Sequence, residues 1–233
     1  MTDQERLEFI RTSPEINAMR AKIARFGGIL FERRLTDISG GNISARVGEY
    51  VCISPRYAGS KRQWQLTPED VLVADKDMNL LDGNGEISRE AKVHFRLHRE
   101  FGEYGTGVIH AHAKNILVFA ATGVSMPPVL EATQKFGTVP VVKYAPAHGN
   151  GLADSIAGGI RGNEERIKKH AAAAIGAWHG LFLIGKDLDA ALDAVERLEY
   201  NAYCILMGQL LQNNDLMAAQ RQALLDAQAN YKE

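Results

Sequence analysis

Cysteine is scarce in this chain: Cys52 and Cys204 are the only two in 233 residues, far apart and each in apolar surroundings. A chain of this length buries enough core to fold without cross-links. The pair is therefore expected to stay reduced, as in a cytoplasmic protein. Long apolar runs are missing too. Nothing approaches the ~18 uninterrupted apolar residues of a membrane span, and the mixed-charge start Met1–Arg6 leads into no signal-like segment. An excess of either charge is also absent. Lys plus Arg number 27 against 28 for Asp plus Glu, a net charge of -1, which weighs against a nucleic-acid or polybasic membrane binder. No repeat, low-complexity tract or Pro/Gly/Ser linker divides the sequence, so residues 1–233 are expected to form a single domain. With 45% hydrophobic and 24% charged residues, the composition is that of an ordinary soluble globule.

Periodicity supplies the coarse architecture. Ile16, Met19, Ile23, Phe26 and Leu30 recur at three- and four-residue steps and predict an amphipathic helix over about 15–34. Ile43–Arg46 and Tyr50–Ile53 read as a strand pair turning at Gly48, with shorter strands at Val71–Ala74 and Asn79–Leu81. A helix capped by Ser88 is expected to run to Phe101. Strand Thr106–Ala111 and helix Lys114–Ala121 follow, then strand Val139–Lys143 and helix Leu152–Ile160. Next come strands Ala171–Gly176 and Leu181–Ile184, a long helix from Asp187 to about Gln212, and a shorter one ending near Ala229. Strands alternate with helices, yet several strands adjoin directly, so the expectation is an α/β domain with a mixed sheet flanked by helices.

Chemistry concentrates in three of the seven histidines. His110 and His112 lie two apart at a strand end, where side chains i and i+2 point to the same side and can share one ion. A pair of surface histidines would look the same. His179, in Trp178-His179-Gly180, reads alone as a core histidine, and as a third ligand once a catalytic zinc, with three protein ligands and an open position, is considered. Glu90, near the start of the helix preceding the histidine strand, is a natural base beside a metal-held substrate, although a helix dipole alone favours a glutamate there. His94 and His98, one helical turn apart, read as packing and surface residues respectively. His148 reads as a polar loop residue. Gly158-Gly159-Ile160-Arg161-Gly162 lacks the preceding strand that a nucleotide loop needs.

Ser39-Gly40-Gly41-Asn42-Ile43-Ser44, Ile87-Ser88-Arg89-Glu90 with His94, Val108-Ile109-His110-Ala111-His112, and His179-Gly180 with Gly185 occur in that order. Together, over about residues 15–215, they resemble the class II aldolase/adducin family, whose members include L-fuculose-1-phosphate aldolase and L-ribulose-5-phosphate 4-epimerase. The resemblance implies a central mixed or antiparallel sheet with helices on both sides, and a homotetramer with active sites between subunits. It implies His110, His112 and His179 as ligands of zinc (or manganese, cobalt or iron), and Glu90 as the catalytic acid/base. Gly41, Asn42, Ser88 and Arg89 would bind an anionic small-molecule substrate, a sugar phosphate or a carboxylate. The epimerases resemble this set but carry Asp where this chain has Glu90, which tilts the reading towards an aldolase working through an enediolate.

Some positions depart from the family pattern. Where phosphate-handling members have Thr-Gly, this chain reads Ile53-Ser54-Pro55-Arg56-Tyr57-Ala58-Gly59. Their serine pair is Ser88-Arg89 here, and an arginine grips phosphate or carboxylate alike. Ser60-Lys61-Arg62-Gln63-Trp64 reads as a basic extension of that loop or a solvated charged one. The family's tyrosine proton donor aligns with Glu131, and Tyr231 reads as a tail residue rather than a contributor to a neighbouring site. A decarboxylase of the same fold, with Arg89 orienting a carboxylate, is the runner-up. A non-catalytic adducin-like module comes third, disfavoured by retention of the three histidines with Glu90.

Overall fold

The computed structural model describes residues 2–211 and, beyond them, positions 222, 225, 226 and 229. Tyr231 and most of the helix expected to end near Ala229 lie outside the described residues. The chain opens with α1 (Asp3–Thr12) and α2 (Pro14–Glu32), then β1 (Asn42–Val47), β2 (Tyr50–Ile53), β3 (Leu72–Ala74) and β4 (Leu80–Asp82). Next come α3 (Ala91–Phe101), β5 (Gly107–Ala111), α4 (Ile116–Thr122), α5 (Glu131–Gln134), β6 (Val141–Val142) and α6 (Asn150–Ile160). Helix α7 (Glu164–Lys169), strands β7 (Ala171–Gly176) and β8 (Gly180–Gly185), and α8 (Leu188–Gly208) complete the order. The strands join one sheet in the order β4-β3-β2-β1-β5-β8-β7-β6. All neighbours are antiparallel except the β6–β7 pair.

Both faces of this sheet are covered, which is why its central strands read as near-continuous apolar runs. Ile43, Ala45, Ile109, Ala111, Leu181 and Leu183 pack on one face with Ile23 and Leu30 of α2 and Ala191, Val195 and Leu198 of α8. Val108, Phe182 and Ile184 pack on the other with Val93, Leu97 and Phe101 of α3 and Ile156 and Ile160 of α6. The site grows from this second face. Asn42 and Ser44 of β1 stand opposite His110 and Val108 of β5, and His110 stands opposite Phe182 of β8. Among the described residues no helix is long and apolar enough to cross a membrane.

Three expectations need correction. Helix α3 begins at Ala91, and no side chain caps it; Glu90 occupies the cap position. The Ser88 hydroxyl accepts instead from the Glu90 amide (3.3 Å) and the Asn42 side chain (3.1 Å). His98 is buried, not on the surface. It shares the Ser44 hydroxyl with His94, at 2.8 and 2.7 Å, and burial lowers both imidazoles to about 3. The Ser60–Trp64 loop is not simply solvated, because Trp64 is fully buried and its indole N–H donates to the Asp37 carbonyl (3.3 Å). The polar start, for which the sequence suggested no element, forms α1, opened by a reciprocal Thr2–Glu5 capping box. It is tied to the sheet by Arg11, which donates to Asp82 (3.0 Å). Gly158 and Gly159 lie inside α6, so no nucleotide loop exists there.

Candidate metal and acid–base site

His110 lies in the penultimate position of β5, His112 just beyond it, and His179 in the turn between β7 and β8. One ring nitrogen from each falls within 4.8 Å of the others. The fixed partners of these rings decide which nitrogen is available. His110 Nδ1 donates to the Leu181 carbonyl at 2.8 Å, so Nε2 carries the lone pair. Phe182 stacks on this ring at 3.9 Å between centroids, nearly parallel, and burial holds the imidazole well below its ordinary pKa, hence neutral. His112 Nδ1 donates to the Asp37 carboxylate at 2.9 Å, and its Nε2 is buried with no hydrogen-bond partner. A carboxylate or carbonyl on the remote nitrogen is the support that metal-binding histidines use, fixing the tautomer and raising ligand basicity. His179 Nε2 lies 3.2 Å from His110 Nε2. Two nitrogens each ~2.0–2.1 Å from a tetrahedral ion are about 3.3 Å apart. The orphaned nitrogen and this spacing fit a divalent ion held by His110, His112 and His179.

Close backbone approach makes the cluster possible at two glycines. A β-carbon at Gly180 would meet the Ala111 carbonyl and His112 Cδ2 at 2.9 Å and His110 Cε1 at 3.2 Å. One at Gly40 would overlap the His112 ring. Both glycines belong to the motifs singled out in the sequence.

Glu90 completes the group. Its carboxylate oxygens stand 3.1 Å from His179 Nε2 and 3.4 Å from His110 Nε2, and the Asn42 amide donates to it at 3.4 Å. Burial alone would raise its pKa. The hydrogen bond from His179 opposes that, and the carboxyl is held below its usual range. Glu90 is therefore ionised. Beside it opens a cleft of about 130 Å³ bordered by Gly41, Asn42, Ser88, Arg89 and Glu90, with Arg56, Tyr57 and His148 on its other walls. Such a volume takes an oxyanion and a short carbon chain, far below the ~300–1,000 Å³ of larger-ligand pockets.

A family model described as Class II Aldolase and Adducin N-terminal domain matches residues 21–206. The chain belongs to that family. Among relatives, it is 27% identical over 172 residues to an L-fuculose phosphate aldolase of Methanococcus maripaludis, covering 73% of this chain and 87% of the relative. It is 28% identical over 201 residues to a methylthioribulose-1-phosphate dehydratase of Methylococcus capsulatus, covering 80% and 92%. A solved L-fuculose 1-phosphate aldolase superposes with a TM-score of 0.74 at 23% identity, covering 88% of this chain and 96% of that one. The last likeness concerns the fold.

Within this class II aldolase family member, the structure gathers every sequence-predicted site residue into two touching groups: the three histidines with Glu90, and the cleft of Gly41, Asn42, Ser88 and Arg89. Sequence reasoning missed Asp37, whose signal was the Asp-x-Ser-Gly turn: its Oδ1 accepts from the Ser39 and Gly40 amides at 2.7 and 2.5 Å. It also undervalued Arg56, which is paired with Glu86, and His148. Glu131 opens α5 as an exposed residue and does not border the cleft.

Proposed function

We propose that this chain is a metal-dependent lyase, an aldolase using zinc, that makes or breaks a carbon–carbon bond in a small phosphorylated hydroxy-carbonyl compound. The observation that carries this reading is the position of Glu90. An ionised carboxylate touches two of the three convergent imidazoles on one side and borders an arginine-bearing cleft on the other. His110, His112 and His179 would hold a divalent ion, which would supply Lewis-acid polarisation and negative-charge stabilisation at a substrate carbonyl. The chain's own residues do the rest. Arg56 and Arg89 attract the substrate's anionic end, and Ser88 and Asn42 orient Glu90 through their mutual hydrogen bonds. Glu90 removes the proton from the carbon next to the carbonyl. Sugar-phosphate relatives support phosphate as that anionic end. Near-neutral net charge and an acid–base cleft support a small-molecule partner rather than nucleic acid.

Decarboxylation is the second reading, favoured by Arg89 at the cleft wall, where a guanidinium can align a carboxylate in a bidentate manner. Glu90→Gln separates the two. General acid–base catalysis contributes about 100- to 10,000-fold, so an aldolase should lose at least the lower figure in kcat. It should lose in parallel the exchange of the donor α-proton of dihydroxyacetone phosphate with deuterated solvent, followed by NMR, while retaining its metal. A decarboxylase variant would still release carbon dioxide. Full activity in Glu90→Gln refutes the assignment of the base. We also propose a homotetrameric assembly with sites near subunit boundaries; the exposed Trp178, Tyr200 and Leu210 support burial against other copies. The free Cys52 and Cys204 accord with a reducing, cytoplasmic location.

A further inference from the structure

We propose that His148 is a second catalytic residue, the group that exchanges a proton with the oxygen of the aldehyde partner while Glu90 handles the donor carbon. This rests on the lyase reading above. His148 borders the same cleft as Glu90, Asn42, Ser88 and Arg89. It adopts φ +69, a left-handed conformation that costs a non-glycine residue about 1–2 kcal/mol. Gly149 stands beside it, so the chain places an imidazole where glycine would be the unstrained choice. The loop is held at both ends. Tyr144 packs on Trp178 at 5.2 Å between centroids, next to the ligand His179, and Gly149 begins α6. His148 is thereby carried on a segment anchored to the metal-binding turn.

The reaction moves protons at two places, the donor carbon and the aldehyde oxygen. In the condensation direction Glu90 takes the donor C–H proton, and that bond's electron pair becomes the enediolate double bond. The pair then forms the new C–C bond to the aldehyde carbon, and the aldehyde's C=O π pair moves to its oxygen. That oxygen takes its proton from His148, and solvent closes the cycle by accepting the proton held on Glu90 and returning one to His148. Of the other groups at the cleft, Arg56 and Arg89 keep their protons at any working pH. Tyr57 has its ring under the Arg56 guanidinium and the Lys61 ammonium, at 4.5 and 4.4 Å. An imidazole both donates and accepts protons in acid–base catalysis, giving one for condensation and taking it back for cleavage, where the reverse steps apply.

The test compares His148→Gly, which also relieves the backbone, and Tyr57→Phe with the unaltered zinc-loaded chain, using dihydroxyacetone phosphate and glycolaldehyde. The expected result for His148→Gly is donor α-proton exchange within about twofold of the unaltered chain, since Glu90 is intact. Carbon–carbon bond formation should fall about 100-fold or more in kcat, with restoration by added imidazole. Tyr57→Phe should keep kcat for bond formation within about twofold, with any change confined to KM. Unchanged bond formation in His148→Gly, parallel loss of exchange and bond formation with no imidazole rescue, or loss in Tyr57→Phe instead, would each overturn the proposal. Failure of the lyase reading looks different: the unaltered chain would then neither exchange the donor proton nor join the two substrates.

Discussion

Asp37→Asn is the substitution for which the structure makes the sharpest claim about metal binding. The two carboxylate oxygens have separate tasks. Oδ1 accepts from the amides of Ser39 and Gly40, and Oδ2 accepts from His112 Nδ1–H at 2.9 Å. In an asparagine the two backbone donors can be satisfied only by the carbonyl oxygen, so the NH2 group must face His112 Nδ1. A donor in that position turns Nδ1 into an acceptor and moves the ring proton to Nε2, the atom whose lone pair has to meet the ion. Shape is preserved while the ligand is disabled. Loss of such a supporting partner typically weakens metal affinity about 10- to 100-fold, equivalent to about 1.4–2.7 kcal/mol. The turn keeps its two amide caps, so the metal-free chain should lose no more than about 1 kcal/mol, one hydrogen bond's worth. Zinc competition against a chromophoric chelator measures the first quantity and urea unfolding of the metal-free chain the second. The nitrogen chemical shifts of His112 report the tautomer directly. A variant that binds zinc within twofold of the unaltered chain, or keeps the Nδ1–H form, would refute the reasoning.

Gly180→Ala should weaken zinc binding at least about 10-fold and destabilise the chain by about 1–3 kcal/mol. The new methyl meets the rigid Ala111 carbonyl and two ligand rings; calorimetric titration and denaturant unfolding check both. Asp82→Ala leaves Arg20, buried and paired to it at 2.5 Å, without its counter-charge, and breaking such a pair costs about 3–5 kcal/mol. Urea denaturation at neutral pH measures it, and a loss under 1 kcal/mol would refute the pairing. Acid should destabilise the fold through His94 and His98. Burial drops both from 6.5 to about 3, so between those values the unfolded chain binds protons that the native one refuses. Stability then falls as pH falls, by about 1.4 kcal/mol per pH unit for each imidazole. His98→Phe should flatten the dependence between pH 6 and 4 by that amount, and an unchanged slope contradicts it. Sedimentation should give about four chain masses at micromolar concentration, with a stable monomer counting against the assembly.

The sheet was legible because its inner strands are short apolar runs bounded by turns, as Val108–Ala111 and Leu181–Ile184 are, and because both faces are covered. The failures share one cause, that local sequence cannot see a distant partner. Helix α1 buries only Ile10, so it has no apolar stripe to detect; its attachment is that one core residue together with the Arg11–Asp82 pair, formed across 71 residues. Ser60–Trp64 looks solvated by composition, yet Gln63 and Trp64 turn through left-handed conformations (φ +49 and +60) that drive the indole inward beneath the Asp37 loop. His98 was assigned to the surface from its helix position, but Ser44 of β1 meets it there, and the pairing of β1 with β5 is a property of register.

The same limit divides the candidate site. Residue types were legible, since four short motifs in order single out the three histidines and Glu90, which the fold brings together. What each atom can do was not, because it is set by neighbours outside those motifs. His110 is a metal-competent base through the Leu181 carbonyl, and His112 through Asp37. Glu90 stands against a second ring only because His179, from another turn of the chain, comes within 3.1 Å of its carboxylate. The β1–β5 register places Asn42 opposite His110, so the side chain that steadies Glu90 and the ring that faces it are fixed by one backbone ladder. The cleft walls contributed by Arg56, Tyr57 and His148 sit on loops instead. A rigid ladder that sets the proton acceptor, beside loops that set what fits, separates the activation of a carbon from the choice of substrate. Substitutions at Arg56 or Tyr57 should therefore move KM and substrate preference while leaving donor-proton exchange by Glu90 in place.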